Sequence, residues 1–324
     1  MIVNSESVLV SILVPVYKVE KYIEKCAMSL FEQTYDNIEY VFVDDCSPDD
    51  SIALLESTME RYSKRKEQVK IVKHEKNMGL SNARNTALLS ANGTYVMHVD
   101  SDDYVDKTIV EVLLSEALKE EADIVVCDFA YIYEDYVQNT TFFVPSSKVD
   151  YLSAILKRET TVNMAGRLIR RELIIEHAIL SIPGLYHGED YATMPRIVYF
   201  ANKITKVEKP LYCYLRSDEH LRTHFVDKQG FRDLVKANQV LIDFFSSKPD
   251  VSLWPLAECK AMNKINLYCS VRYELYSEVS KLYPDLNIFD LNLSFYRKLL
   301  LYLSNIHQFQ LLFYIIRVVS YLRH

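Results

Sequence analysis

Short β-branched runs alternate with amphipathic stretches over roughly the first 130 residues, and this alternation restricts the fold more than any other feature. Val8–Val14 is an unbroken apolar run that reads as a buried strand, stopped by Pro15. Glu20–Gln33 spaces Ile23, Ala27 and Leu30 at helical intervals, and Ile38–Val43 reads as the next strand, ending at Asp44-Asp45. Ser47, Pro48 and Asp49 form a helix start, and that helix is expected to run to about Lys66. Val69–Val72, Thr94–Val99 and Ile124–Ala130 read as further strands, with helices over Leu80–Ser90 and Asp106–Glu120. The expected class is therefore α/β: a single Rossmann-like, mostly parallel sheet flanked by helices. Ligands of such sheets bind outside the carboxyl ends of the strands, where Asp44, Asp45 and Asp100 all fall.

The second half is less regular. Residues 131–165 read as a connection, 166–182 as a helix, 183–190 as a loop, Tyr191–Ala201 as a helix and Ile204–Leu215 as a strand. From about Phe225 onward only helices are expected, so a larger domain is assigned to 1–224 and a helical region to 225–324. The formal charge of −7 argues against a general nucleic-acid binder, which needs a positive face to displace counterions. Six widely spaced cysteines without a Cys-x-x-Cys pair suit neither zinc nor a disulfide framework, so they read as reduced and mostly buried. The N-terminus lacks signal-peptide features, which makes the cytoplasm the expected compartment. Segment 290–324 carries a formal +3, with apolar runs far short of the ~18–20 residues of a membrane span. Two readings stay open for it: a basic, apolar-faced helix on an anionic membrane surface, or a helix packed on the rest of the protein.

Four clusters carry chemistry. Asp100-Ser101-Asp102-Asp103 crowds three carboxylates that repel unless a cation sits among them, and hard oxygen donors suit Mg²⁺ or Mn²⁺. The plainer reading is a solvated turn with Asp103 as a helix cap. In Asp44-Asp45-Cys46-Ser47, Asp45 or Ser47 reads equally well as an N-cap, whereas Asp44 is free to accept a nucleobase N–H. In Asn77–Asn85, Gly79 permits a tight turn and Arg84 projects from the helix that follows, suited to a diphosphate. In His187-Gly188-Glu189-Asp190, the acids serve either the helix dipole or an acceptor hydroxyl as general base. His98 reads as core, and His74 and His220 as isolated.

Taken in order, Ser11–Tyr17, VFVDDCSPDDS, NMGLSNARN, DSDD and the Gly188-Glu189-Asp190 segment resemble the family 2 glycosyltransferases, which have the A-type nucleotide-sugar fold. The resemblance is dense over about the first 105 residues and is closest to sugar transferases of bacterial surface polysaccharides. It implies that Pro15, Val16 and Tyr17 line the nucleoside pocket, that Asp44 binds the base with Asp45 beside it, and that Arg84 approaches the diphosphate or base. It implies a ribose and metal contact for Asp100, a metal-ligand role for Asp102, and Mn²⁺ or Mg²⁺ as cofactor. Asp190 is the implied catalytic base, with Glu189 the less favoured substitute. The implied reaction is inverting transfer from a nucleoside-diphosphate sugar, most often a UDP-sugar, to a glycan or lipid-linked acceptor. Peripheral attachment to the inner face of the cell membrane through 290–324 is a separate expectation, motivated by the basic, aromatic tail and not by the resemblance. Arg167 stands where the family more often has Lys, and Cys46 where many members have Gly. The competing readings are a sugar nucleotidyltransferase, disfavoured because Ser11–Lys18 has no glycine, and a catalytically idle nucleotide-binding scaffold.

Overall fold

The structure, a computed structural model, describes residues 7–216, 225–250 and 253–321. Two compact units emerge: one holds the chain up to 152 together with 160–218, and the other holds 153–159 together with 219–324.

The first unit is built on one sheet. Its centre is β1 (Val10–Val16), every residue of which is buried, as suits a strand that is apolar but for Ser11 and covered on both faces. Strand β2 (Ile38–Asp44) pairs parallel with β1, β3 (Val69–Lys73) parallel with β2, and β4 (Tyr95–His98) parallel with the other edge of β1. Pro15 does not stop β1, contrary to expectation; it pairs opposite Val43. Strand β4 runs alongside only as far as Leu13, and the Val99 N–H takes the Leu13 carbonyl. The nitrogen of Pro15 therefore faces the side on which no ladder continues, where a missing donor costs nothing.

The helices of this half are α1 (Ile23–Phe31), α2 (Ser51–Glu60), α3 (Leu80–Ser90) and, after the two-residue β5 (Tyr104–Val105), α4 (Ile109–Lys119). Ile12, Val14 and Val16 share a core with Ile23, Ala27 and Leu30 of α1 and with Ile109 and Leu113 of α4. The helix expected from Ser47 to Lys66 is shorter at both ends, because Ser47, Asp49 and Ser51 spend their side chains on one another and on the 18–20 backbone.

The remaining strands make the sheet mixed. Strands β6 (Ile124–Ile132), β7 (Val137–Thr140), β8 (Arg167–Arg170) and β9 (Ile204–Leu215) complete the order β3-β2-β1-β4-β8-β6-β9-β5, with β7 on β6. β8 runs antiparallel to both β4 and β6, while β9 is parallel to β6. Two local expectations fall here. Residues 131–165 contain β7 and the helix α5 (Lys148–Leu156), and the stretch expected as a helix over 166–182 is β8 followed by the short α6 (Arg171–Glu176). Helix α7 (Glu189–Phe200) begins at the acidic pair itself.

The second unit is helical: α8 (Lys228–Ser246), α9 (Leu256–Ser270), α10 (Tyr276–Ser280), α11 (Phe295–Asn305) and α12 (Phe309–Tyr321). Its core gathers Leu234, Ile265, Leu267, Val279, Leu300 and Leu312. Among the described residues, no helix is long and apolar enough to cross a membrane.

Candidate active site

The ends of β1, β2 and β4 meet because the register sets Val16 beside Asp44 and Leu13 beside His98. Above these ends the first unit opens a cleft of about 690 Å³. Pro15, Val16, Tyr17 and Asp45 line it, together with Gly79 and Arg84, Asp100 and Asp102, and Glu189 and Asp190. Nine of the ten residues expected in the site thus share one cavity. Asp44 is not among the lining residues: it is nearly buried, and its Oδ1 accepts the Ser47 N–H at 2.8 Å, which closes the turn after β2.

The acidic cluster divides by direction. Asp100 is partly exposed, and its Oδ1 accepts from Arg84 Nη2 at 3.0 Å. Asp102 lines the cleft, whereas Asp103 turns inward and is buried. Asp103 is not the cap of a following helix, since α4 begins only at Ile109. Instead its carboxylate accepts from the Tyr212 hydroxyl at 2.8 Å and the Leu215 N–H at 2.9 Å, tying the turn to β9. Burial, with the charges of Asp100 and Asp102 added, pushes its pKa up to about 8. Tyr212 Oη also accepts the Asp100 N–H at 3.1 Å, so one phenol fixes both ends of the turn. Asp100 and Asp102 supply two hard oxygen donors facing the cleft. Among the described residues no three His, Cys, Asp or Glu side chains form a protein-only cage. This donor set fits Mn²⁺ or Mg²⁺ whose remaining positions are filled by water and substrate phosphate oxygens.

Arg84 is the hub of the cleft. Its side chain is 3% exposed, and besides Asp100 it reaches Asp190 at 2.6 Å and Glu189 at 3.3 Å through Nη1. Three carboxylates around one guanidinium leave excess negative charge in a poorly solvated place. Burial accordingly raises the pKa of Glu189, with repulsion from Asp190 next, and burial likewise raises that of Asp190 against the pull of Arg84. The second oxygen of Asp190 accepts the Met164 N–H at 3.0 Å. Gly188, left-handed at φ +79°, brings the chain into α7 so that both acids occupy the first turn, where the helix dipole favours their charged forms.

Asp45 organises the adjoining loop. Its Oδ1 accepts from His74 Nδ1 (2.7 Å) and the Met78 N–H (2.8 Å), and its Oδ2 accepts the Gly79 N–H at 2.8 Å. His74 Nε2 meets the Thr86 hydroxyl at 2.9 Å. Gly79 has φ +84°, and a Cβ there would stand 3.1 Å from the Tyr186 ring. His74 is thus part of the site's frame although its sequence neighbours gave no sign of it. The signal lay in strand register: Asp44 pairs with Lys73, which sets residue 74 beside residue 45. Tyr131, Asn163, Tyr186, Tyr214 and Arg216 also line the cleft and carry no local motif. His98 is core, as expected; burial, with the Arg84 charge added, lowers its pKa to about 3 and keeps it neutral. Arg167 is fully buried, donating to the carbonyls of Asn163 and Thr161 and to the Tyr151 hydroxyl, so it braces β8.

The profile of glycosyl transferase family 2 matches residues 11–177, a span that holds Asp45, Arg84, Asp100 and Asp102 and ends before Glu189 and Asp190. The chain belongs to family 2 of the glycosyltransferases. Among relatives of this transferase, EpsH of Bacillus subtilis is 34% identical over 217 residues, covering 64% of this chain and 61% of EpsH. Among solved structures, Staphylococcus aureus TarS 1–349 in complex with UDP-GlcNAc superposes with a TM-score of 0.62 at 20% identity, over 97% of this chain and 91% of that one. The mannosyltransferase PcManGT of Pyrobaculum calidifontis, in complex with GDP-Man and Mn²⁺, gives a TM-score of 0.52 at 18% identity, over 80% and 70%. These likenesses establish the A-type fold of the transferase.

Proposed function

We propose that this glycosyltransferase moves a sugar, with inversion at the anomeric carbon, from a UDP-sugar to a glycan or lipid-linked acceptor. Its setting on this reading is bacterial surface-polysaccharide synthesis at the cytoplasmic face of the membrane. The observation that carries the reading is the Arg84 hub, which fixes the acid expected on the donor side (Asp100) and those expected on the acceptor side (Glu189, Asp190) to one guanidinium. A UDP-GlcNAc complex of TarS and a GDP-Man and Mn²⁺ complex of PcManGT support the donor class and the metal.

In this mechanism Pro15, Val16 and Tyr17 receive the nucleoside, and Asp44 offers its second oxygen to a base N–H. Asp45 holds the 77–79 loop against the nucleotide. Asp100 contacts the ribose and, with Asp102, holds Mn²⁺ or Mg²⁺, which when bound neutralises charge on the departing diphosphate. Asp190 takes the proton of the acceptor hydroxyl; its raised pKa makes it a better base than an ordinary carboxylate. Glu189 shares Arg84 with Asp190 and sets the charge balance around it. The test compares Asp190→Asn with Glu189→Gln in sugar transfer from UDP-sugars. Asp190→Asn is expected to lose a factor of roughly 10²–10⁴ in turnover, and Glu189→Gln much less. Equal losses would remove the assignment, and nucleotide binding without turnover across donors and acceptors would return the scaffold reading.

A further inference from the structure

The cleft leaves the second unit without a task, yet among the described residues that unit carries the most exposed aromatic rings. Phe295 is 83% exposed, Phe289 79% and Tyr314 67%. Along α11 and its C-cap the exposed apolar residues are Phe295, Tyr302 and then Ile306, with spacings of seven and four; on α12 they are Leu311, Tyr314 and Val318, with spacings of three and four. Each set is one helical stripe. The opposite faces supply Leu300, Leu301, Leu303, Leu312 and Ile316 to the unit's core, so both stripes point away from it. Isolated exposed apolar residues are ordinary, but an exposed stripe on each of two consecutive helices is not.

The charge pattern selects the partner. Between residues 291 and 321 the basic side chains are Arg297, Lys298 and Arg317, and the sequence contains no Asp or Glu. Lys298 lies three residues after Phe295 and four before Tyr302, and Arg317 three after Tyr314, so each stripe is flanked by a cation. The Lys298 ammonium donates to the Phe289 carbonyl at 3.2 Å. The Arg317 guanidinium lies over the rings of Phe225 and Phe313, at 4.8 and 5.2 Å. Arg297 has an exposed ion pair with Glu159 at 3.2 Å. Aromatic rings beside long cations, with no carboxylate in the segment, match the boundary of an anionic lipid layer, where rings sit at headgroup depth and cations reach phosphates.

We propose that α11 and α12 dock the protein on the surface of a bilayer containing anionic phospholipid, through the 295/302/306 and 311/314/318 stripes. The proposal rests on the membrane-face reading given above and is independent of the donor and of the cleft chemistry. The test is co-flotation of the whole protein with phosphatidylcholine vesicles and with vesicles containing about a third phosphatidylglycerol. Three cations near the surface predict on the order of 100-fold tighter binding to the anionic vesicles, weakened several-fold by raising salt from 0.1 to 0.5 M. A Phe295→Ser/Tyr302→Ser/Tyr314→Ser variant and a Lys298→Glu/Arg317→Glu variant are each expected to lose at least tenfold. UDP-sugar hydrolysis in solution should be unchanged in both variants, which separates failure here from failure of the transferase reading and reports that the fold is intact. Equal binding to neutral and anionic vesicles, or no binding, would overturn the proposal. So would a dimer of the parent protein in light scattering that the serine variant dissociates, because a second copy would then cover the stripes.

Discussion

Replacing Arg84 by alanine removes the counter-charge that, among the described residues, Asp100, Glu189 and Asp190 share, at contacts of 3.0, 3.3 and 2.6 Å. Breaking a buried charge pair costs about 3–5 kcal/mol, because the partner stays buried and unpaired. Here three partners are left, so the cost is expected at the upper end of that range. For a unit of ~150–250 residues each kcal/mol moves the melting point by roughly 2–4 °C, so Arg84→Ala should melt roughly 10–20 °C lower at pH 8. Arg84→Lys keeps the charge but loses the fork that reaches separate carboxylates, and should fall between the two. The pH dependence discriminates further. Without the guanidinium the pKa values of Glu189 and Asp190 rise further, and these two carboxylates take up protons at higher pH than in the parent protein. Protonation relieves the repulsion, so the deficit should shrink as pH falls from 8 toward 5. Thermal melts of parent and variants across this range are the assay. A variant within 2 °C of the parent at pH 8, or a deficit that grows on acidification, would refute the reasoning.

The other predictions concern the frame of the cleft. Tyr212→Phe deletes the hydroxyl that serves Asp100 and Asp103 and leaves a buried carboxylate short of a donor; a loss of about 1–3 kcal/mol in denaturant unfolding is expected. His74→Leu removes one of the two donors on Asp45 Oδ1 and loosens the 77–79 loop, so donor KM should rise about tenfold with little change in kcat if the loop acts through binding alone. The acid limb of kcat/KM should lie above the ordinary carboxylate range near ~4, because burial raises Asp190 and Glu189 and the base is lost once protonated; a limb at or below that range would contradict the electrostatics of the hub.

The parallel half of the fold was legible because its signals are local. A run such as Val10–Val16, apolar but for Ser11, has few other options, and an acid directly after a strand falls at a sheet end whichever strands pair. The DSDD cluster, the Gly79 turn and the Glu189-Asp190 pair were found for the same reason. What was misread is decided by distant partners. RLIRREL is rich in helix formers, yet its first four residues become β8 because β4 and β6 offer free edges on both sides. Asp103 has the sequence context of its neighbours but turns inward toward Tyr212, 109 residues later. Arg84 was expected to meet a diphosphate. Its guanidinium also holds acids 16, 105 and 106 positions away, an arrangement no local pattern encodes.

The central claim, a metal-assisted nucleotide-sugar site at Asp100 and Asp102, is tested most directly by thermal shift of parent and Asp102→Ala protein with a panel of nucleotide sugars, with and without Mn²⁺. A donor at 100 times its dissociation constant stabilises by about 2.7 kcal/mol, or roughly 5–11 °C for a unit of this size. The account predicts such a shift with a UDP-sugar only when Mn²⁺ is present, and its loss in Asp102→Ala. A shift of the same size without the metal, or one kept in Asp102→Ala, would contradict it.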